Sequence, residues 1–222
     1  MLTVRHDVRH VMNEATLSAD IIKSTALSQE NMRALRDHLL AFAEMIRKKF
    51  PGCWGRVVRG DGFECVVGDP RMALRMALLL RCHVKTFQVD KAEKKAKGQD
   101  VRISLGLGGL RANDASNGFI DGEAIYNSGR SLDAMSRGAN FVVACADEDR
   151  RAVLQVIFGL LDGIFANATA RQCKMMAMRL MDIPLDEVFK TVAKNLFYGQ
   201  MRKMNWTGVR AALDFYEHHL DF

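Results

Sequence analysis

The chain has 222 residues, 49% of them hydrophobic and 26% charged, with 17 Gly and 3 Pro. That composition excludes a disordered or fibrous chain, and the length allows one large domain or one of roughly 150 residues with an appendage. The net charge of +6 permits a polyanionic partner such as a nucleotide or nucleic acid. No apolar run approaches the roughly 18–20 residues of a membrane span. Residues 1–13 carry Arg5, Asp7 and Arg9 and lack the apolar stretch of a signal peptide. Cys53, Cys65, Cys82, Cys145 and Cys173 form no CxxC pair. They read as reduced core thiols of a cytoplasmic protein. His6, His10, His38, His83, His218 and His219 show no metal-ligand spacing and read as surface residues.

In chain order, residues 15–22 read as a buried strand that carries one acid, Asp20. Ser24 and Thr25 then offer turn and cap hydroxyls. From Ser28 to Phe50, the residues Met32, Leu35, Leu39, Phe42, Ala43 and Ile46 recur at 3–4 spacing, which predicts an amphipathic helix. Pro51-Gly52 ends it. Two β-rich runs, 53–59 and 63–67, flank Gly60-Asp61-Gly62, which predicts a hairpin. Asp69 and Pro70 mark the start of a second helix, running to about Val89. The lysine-rich segment 91–100 reads as a solvated loop.

Residues 101–107 alternate as a strand, 111–121 read as a polar loop, 122–137 as a helix and 140–145 as a strand. The glycines after Leu105 let strands and backbone approach closely. The order β-α-β-β-α-β-α-β predicts an α+β fold on a ferredoxin-like βαββαβ core. Helices follow, Met-rich over 170–181 and broken at Pro184. The expected division is an α+β domain over 1–146 and a helical extension over 147–222. In the last unit, 186–222, Leu196, Phe197, Trp206, Val209, Leu213 and Phe215 are the expected core.

Two acids stand out. A carboxylate inside an apolar strand costs several kcal/mol unless it is paired or binds a cation. If the strand of Asp20 neighbours the hairpin of Asp61, both carboxylates reach one end of the sheet. Hard oxygen donors there suit Mg²⁺ or Mn²⁺, with nucleotide phosphates completing the shell. The plainer alternative has Asp20 capping a turn through Ser24 or Thr25, and Asp61 serving only the hairpin. Arg59, Arg102 and Arg130 are candidate phosphate ligands. The structural alternative for them is an ion pair, for example Arg130 with Asp20 or Asp61.

Four segments fall in a telling order: Ala19-Asp20-Ile21-Ile22-Lys23-Ser24-Thr25, Arg59-Gly60-Asp61-Gly62-Phe63-Glu64, the strand Val101 to Gly108, and Gly122-Glu123-Ala124-Ile125-Tyr126-Asn127-Ser128-Gly129-Arg130. That order resembles the SatD family and, more distantly, the class III nucleotidyl cyclase catalytic domain, over roughly residues 15–145. The resemblance implies metal binding by Asp20 and Asp61, with Mg²⁺ or Mn²⁺. It implies a triphosphate beside Ile21, Ser24 and Thr25, further nucleotide contacts from Arg59, Asn127 and Arg130, and a homodimer. The chain departs from the cyclase pattern at two places. Arg56-Val57-Val58-Arg59 offers no purine-reading Lys before the hairpin Asp. Tyr126 stands where the transition-state Asn belongs, and Asn127 is one residue on, about 100° around a helix.

The resemblance therefore implies a SatD-like regulatory domain that binds nucleotide and metal without cyclase activity, the alternative being an active cyclase. A further alternative is a DNA-binding transcriptional regulator. Segment 186–222 resembles a degenerate helix-turn-helix, with its turn and reading helix at 197–204. Gln200, Arg202 and Lys203 are its candidate DNA contacts.

Overall fold

The computed structural model describes residues 14–89 and 98–220. His6, His10, the signal-peptide reading of 1–13 and most of the 91–100 loop lie outside the described residues. The chain begins with β1 (Glu14–Ile21), α1 (Gln29–Lys49), β2 (Trp54–Val58), β3 (Gly62–Val67), α2 (Ala73–Thr86) and β4 (Val101–Gly108). It continues with β5 (Leu110–Asp114), β6 (Phe119–Gly122), α3 (Glu123–Asp133) and β7 (Phe141–Ala144). Five helices close it: α4 (Glu148–Ala166), α5 (Ala170–Leu180), α6 (Leu185–Thr191), α7 (Lys194–Lys203) and α8 (Trp206–His218). None is long and apolar enough to cross a membrane.

The main sheet has five strands in the order β2-β3-β1-β4-β7. β1 is antiparallel to both β3 and β4. β7 joins the far edge parallel to β4. The first four strands with α1 and α2 are the ferredoxin-like βαββαβ unit of a mixed α+β fold.

The side-chain alternation of a strand divides β1 between two environments. Ala15, Leu17, Ala19 and Ile21 pack with Leu35, Leu39 and Phe42 of α1 and with the apolar face of α2. Thr16 and Ser18 face the other way and hydrogen-bond Ser128 of α3 at 3.1 and 2.8 Å. β4 repeats the pattern, with Val101, Ile103, Leu105 and Leu107 in the core and Ser104 and Gly106 toward α3. A Cβ on Gly106 would stand 2.1 Å from the Ala124 carbonyl oxygen and 2.5 Å from the Ser128 nitrogen. Glycine there is what lets α3 lie so close to the sheet.

One expected loop is a correction. Residues 111–121 form the β5–β6 hairpin rather than an irregular loop. Its sequence is polar because only Leu110 and Ile120 turn inward, against Trp54 and Val66. The Trp54 ring N–H donates to Asn113 at 2.7 Å.

The histidine reading is corrected in part. His38 and His83 are not free on the surface but stack between α1 and α2, ring centroids 3.8 Å apart. Each ring Nε2–H donates to the other residue's backbone carbonyl, at 2.8 and 2.7 Å. Burial, the largest cause, pushes the pKa of His83 down from 6.5 to about 4 and that of His38 down as well. All five cysteines are free, and four of them are buried.

The closing helices pack on α2 through both apolar and charged contacts. Arg81, fully buried, donates to Asp100 at 3.0 Å and to Asp162 of α4 at 2.7 Å. Lys85, one turn on, reaches Asp100 at 2.9 Å. Asp162 also accepts the Asn140 N–H at 2.8 Å. Arg75 binds Glu217 of α8 at 2.8 Å and Asp182 at 2.9 Å.

The segment expected to hold a turn and a reading helix is different in form. Residues 197–203 continue α7, with Phe197, Met201 and Met204 buried. The break falls at Asn205, whose left-handed backbone (φ 47°) lets its side chain cap α8. Gln200 is half-buried, while Arg202 and Lys203 are exposed. Of the expected core of this unit, Phe197, Val209 and Leu213 are buried, Trp206 and Phe215 are half-buried, and Leu196 is exposed.

Two predictions follow from the buried charges. Arg81→Ala removes the fully buried guanidinium, leaving Asp100 with Lys85 and Asp162 with Asn140 as remaining partners, and costs about 3–5 kcal/mol in urea unfolding. Arg71→Ala, which loses only an exposed, solvent-screened pair with Asp69, leaves the urea midpoint close to that of the parent chain. The histidine pair sets an acid limit. The unfolded chain takes up protons below pH 6.5, while the folded His83 resists until about pH 4. Up to about 3 kcal/mol of stability therefore disappears as the pH falls through that window and is fully present above it. His83→Gln flattens the pH dependence of unfolding between pH 6.5 and 4, read as the difference from the parent chain.

Candidate functional site

A cavity of about 610 Å³ opens at one end of the main sheet. It is built by the β2–β3 hairpin, the ends of β1 and β4, and the C-terminal turn of α3. Its charged lining is Asp20, Arg56, Arg59, Asp61, Glu64, Arg102 and Asp133, with Ser18 and Gly129 among the small residues.

The register explains why the two acids meet. Asp20 stands opposite Gly62 of β3 on one side and opposite Arg102 of β4 on the other. Asp61 immediately precedes Gly62 in the turn. A short antiparallel hairpin laid against β1 thus carries both carboxylates to the same sheet end. Asp20 pairs with the Arg102 guanidinium. Asp61 accepts a hydrogen bond from the Ser24 hydroxyl.

Several expectations are redistributed. Ser24 serves Asp61, so the alternative in which Asp20 caps a turn through Ser24 or Thr25 does not hold. Arg130 pairs with neither acid; its guanidinium lies over the Tyr126 ring, 5.7 Å from the centroid. Asn127 donates to the Leu107 carbonyl at 2.9 Å and so anchors α3 to β4. Neither residue lines the cavity. Ile21 is buried in the apolar core and Thr25 is exposed. Arg59 does line the cavity, from a hairpin position with φ 49°.

Arg56, Glu64 and Asp133 are additional lining residues. Arg56 and Glu64 are cross-strand neighbours. Arg56 donates to Glu64 at 2.8 and 2.6 Å and also to the Gly118 carbonyl on the β5–β6 hairpin. The sequence signal was the alternation of β2, which puts Arg56 and Val58 on one face. Asp133 had no signal, because only the end of α3 brings it to the cavity.

Below Asp20 the sheet face is hydroxyl-rich. Ser18 and Ser104 are register partners. The Ser104 hydroxyl is buried with no hydrogen-bond partner among the described residues.

Among the described residues, no three His, Cys, Asp or Glu side chains gather into a metal cage. Two carboxylates in one cavity still suit Mg²⁺ or Mn²⁺. Such ions commonly take one or two protein carboxylates and fill the remaining positions with water and phosphate oxygens. The donor set fits an ion that arrives with phosphates, once Asp20 is released from Arg102.

No family model and no curated protein matches the chain. Among solved structures it is similar to the active GGEEF domain of a diguanylate cyclase from Vibrio cholerae, with a TM-score of 0.45 and 10% identity over 61% of this chain and 85% of that one. It is similar to the guanylyl cyclase Cya2, with a TM-score of 0.44 and 12% identity over 60% of this chain and 74% of that one. It is also similar to a bacterial light-regulated adenylyl cyclase, with a TM-score of 0.44 and 13% identity over 64% and 80% of the two chains.

Proposed function

We propose that the cavity binds a nucleoside phosphate together with Mg²⁺ or Mn²⁺, and that the chain uses this binding as a regulatory input rather than to cyclise the nucleotide. The observation that carries the reading is the placement of Asp20 and Asp61 in one cavity with Arg56, Arg59 and Arg102. A divalent ion brings a phosphate chain to carboxylates, and guanidinium groups hold the remaining phosphate oxygens. Arg59 makes no ion pair among the described residues and sits at the exposed rim. It would meet the outer phosphate. Asp20 and Asp61 would hold the ion, and the ion would supply charge neutralisation for the bound phosphates.

The regulatory half of the proposal is supported by Asn127 and Arg130, the two α3 residues to which the resemblance gives nucleotide contacts. Asn127 is occupied by the Leu107 carbonyl, and Arg130 is stacked on Tyr126 outside the cavity. Neither donates to a charge developing inside it. Electrostatic stabilisation of that kind needs donors already aimed at the reacting atoms.

Thermal unfolding tests the binding. A ligand at 100 times its Kd adds about 2.7 kcal/mol, which for a chain of this size raises Tm by roughly 5–10 °C. Mn²⁺ with ATP or GTP produces that shift, and Asp61→Ala, checked for native circular dichroism, abolishes it. The absence of a shift with every common nucleoside triphosphate and either metal would contradict the reading. In the same mixtures no cyclic nucleotide accumulates; its appearance would overturn the regulatory half.

A further inference from the structure

We infer that Arg102 is an internal competitor for the metal position, so that this site binds a divalent ion weakly alone and more tightly together with an anionic phosphate ligand. The inference rests on the metal–nucleotide reading of the cavity and adds a regulatory residue to it.

Arg102 and Asp20 are direct neighbours across β4 and β1. Their ion pair lies in the cavity wall, with the two side chains 37% and 33% exposed. Neither group is locked in the interior, so the guanidinium has room to turn. A divalent ion on the Asp20 carboxylate cannot coexist with that guanidinium in contact, because two cations would share one anion in a partly desolvated place. Arg102 must therefore leave Asp20 when the ion enters.

Where it goes decides the behaviour of the site. Turned toward solvent, it loses a charge-assisted hydrogen bond and gains nothing but water. Turned toward a phosphate, it exchanges one bidentate-capable anion for another. Arg56 is bonded to Glu64 and the Gly118 carbonyl and covers neither Asp20 nor Asp61. Arg59 lies on the hairpin and blocks no carboxylate. Among the described residues Arg102 is thus the cavity cation whose departure uncovers a candidate metal ligand.

The consequence is reciprocal coupling. The phosphate ligand draws Arg102 off Asp20 and strengthens the metal, and the metal strengthens the phosphate by the same factor. Free Mg²⁺ or Mn²⁺ alone binds weakly, because part of its gain on the Asp20 carboxylate goes to breaking the Asp20–Arg102 pair.

The test is direct binding of Mn²⁺ to the full chain, read from the paramagnetic resonance signal of free Mn²⁺, with no nucleotide present. Arg102→Gln removes the competitor and binds Mn²⁺ about tenfold or more tighter than the parent chain, within the usual 5–150-fold range of coupling. Arg102→Lys keeps the charge but replaces the guanidinium that donates to Asp20 with a shorter-reaching ammonium, and tightens Mn²⁺ by a smaller factor. It also provides a second reading should Arg102→Gln fold poorly. Adding a non-hydrolysable triphosphate analogue then improves Mn²⁺ binding in the parent chain far more than in Arg102→Gln. If the parent chain binds Mn²⁺ with the triphosphate but neither variant gains affinity for Mn²⁺ alone, the competitor role is overturned and the binding site stands. If the parent chain binds neither Mn²⁺ nor the triphosphate, the site itself is refuted and the inference falls with it.

Discussion

The structure depends on one strand that satisfies two chemistries at once. β1 lies at the centre of the sheet with a neighbour on each edge. One face of β1 is Ala15, Leu17, Ala19 and Ile21, and the bulk of the apolar core forms on it. The other face is Thr16, Ser18 and Asp20, which cannot be left against hydrocarbon. α3 meets that need with Ser128, and Gly106 on the next strand gives the helix the room to do so. The hydroxyls satisfy one another in the middle of the strand. Asp20, at its end, turns instead to the cavity and to Arg102. The polar face that makes β1 costly to bury is what aims an acid at the candidate site.

A second constraint holds the helical extension in place. Arg81 is buried without exposure, and its guanidinium is divided between Asp100 and Asp162. The pairs join α2, the start of β4 and α4 in a region that also carries apolar packing from Phe141 and Phe158. A buried ion network of this kind adds little net stability over an apolar replacement, but it penalises any arrangement that leaves one partner alone. It therefore ties α4, which packs against β7, to α2 and the start of β4.

The core was legible because its elements announce themselves by period and punctuation. The 3–4 spacing from Met32 to Phe50 and the alternation of 101–107 each correspond to an observed helix or strand. The Gly60-Asp61-Gly62 turn marked the hairpin that carries Asp61, but its approach to Asp20 depends on the pairing of β3 with β1, which a turn signal does not specify. The β5–β6 hairpin was not legible, since it buries too few side chains to leave an apolar pattern. The partners of Asp20 and Asp61 were also hidden. Arg102 and Ser24 are chosen by cross-strand register and by a short helical turn after β1, neither of which is a sequence period. The histidine stack escaped for a similar reason, as His38 and His83 lie 45 residues apart and meet only through helix packing.

The central claim is that Asp20 and Asp61 form one site for a divalent ion carried by a phosphate ligand. Paramagnetic broadening locates such an ion without reference to activity. In an amide NMR spectrum of the full chain, Mn²⁺ with a non-hydrolysable triphosphate should broaden the signals of residues 19–24, 59–64 and 101–103. It should leave those of α6 to α8 sharp. Broadening centred elsewhere, or an unchanged spectrum at saturating ligand, would contradict the account.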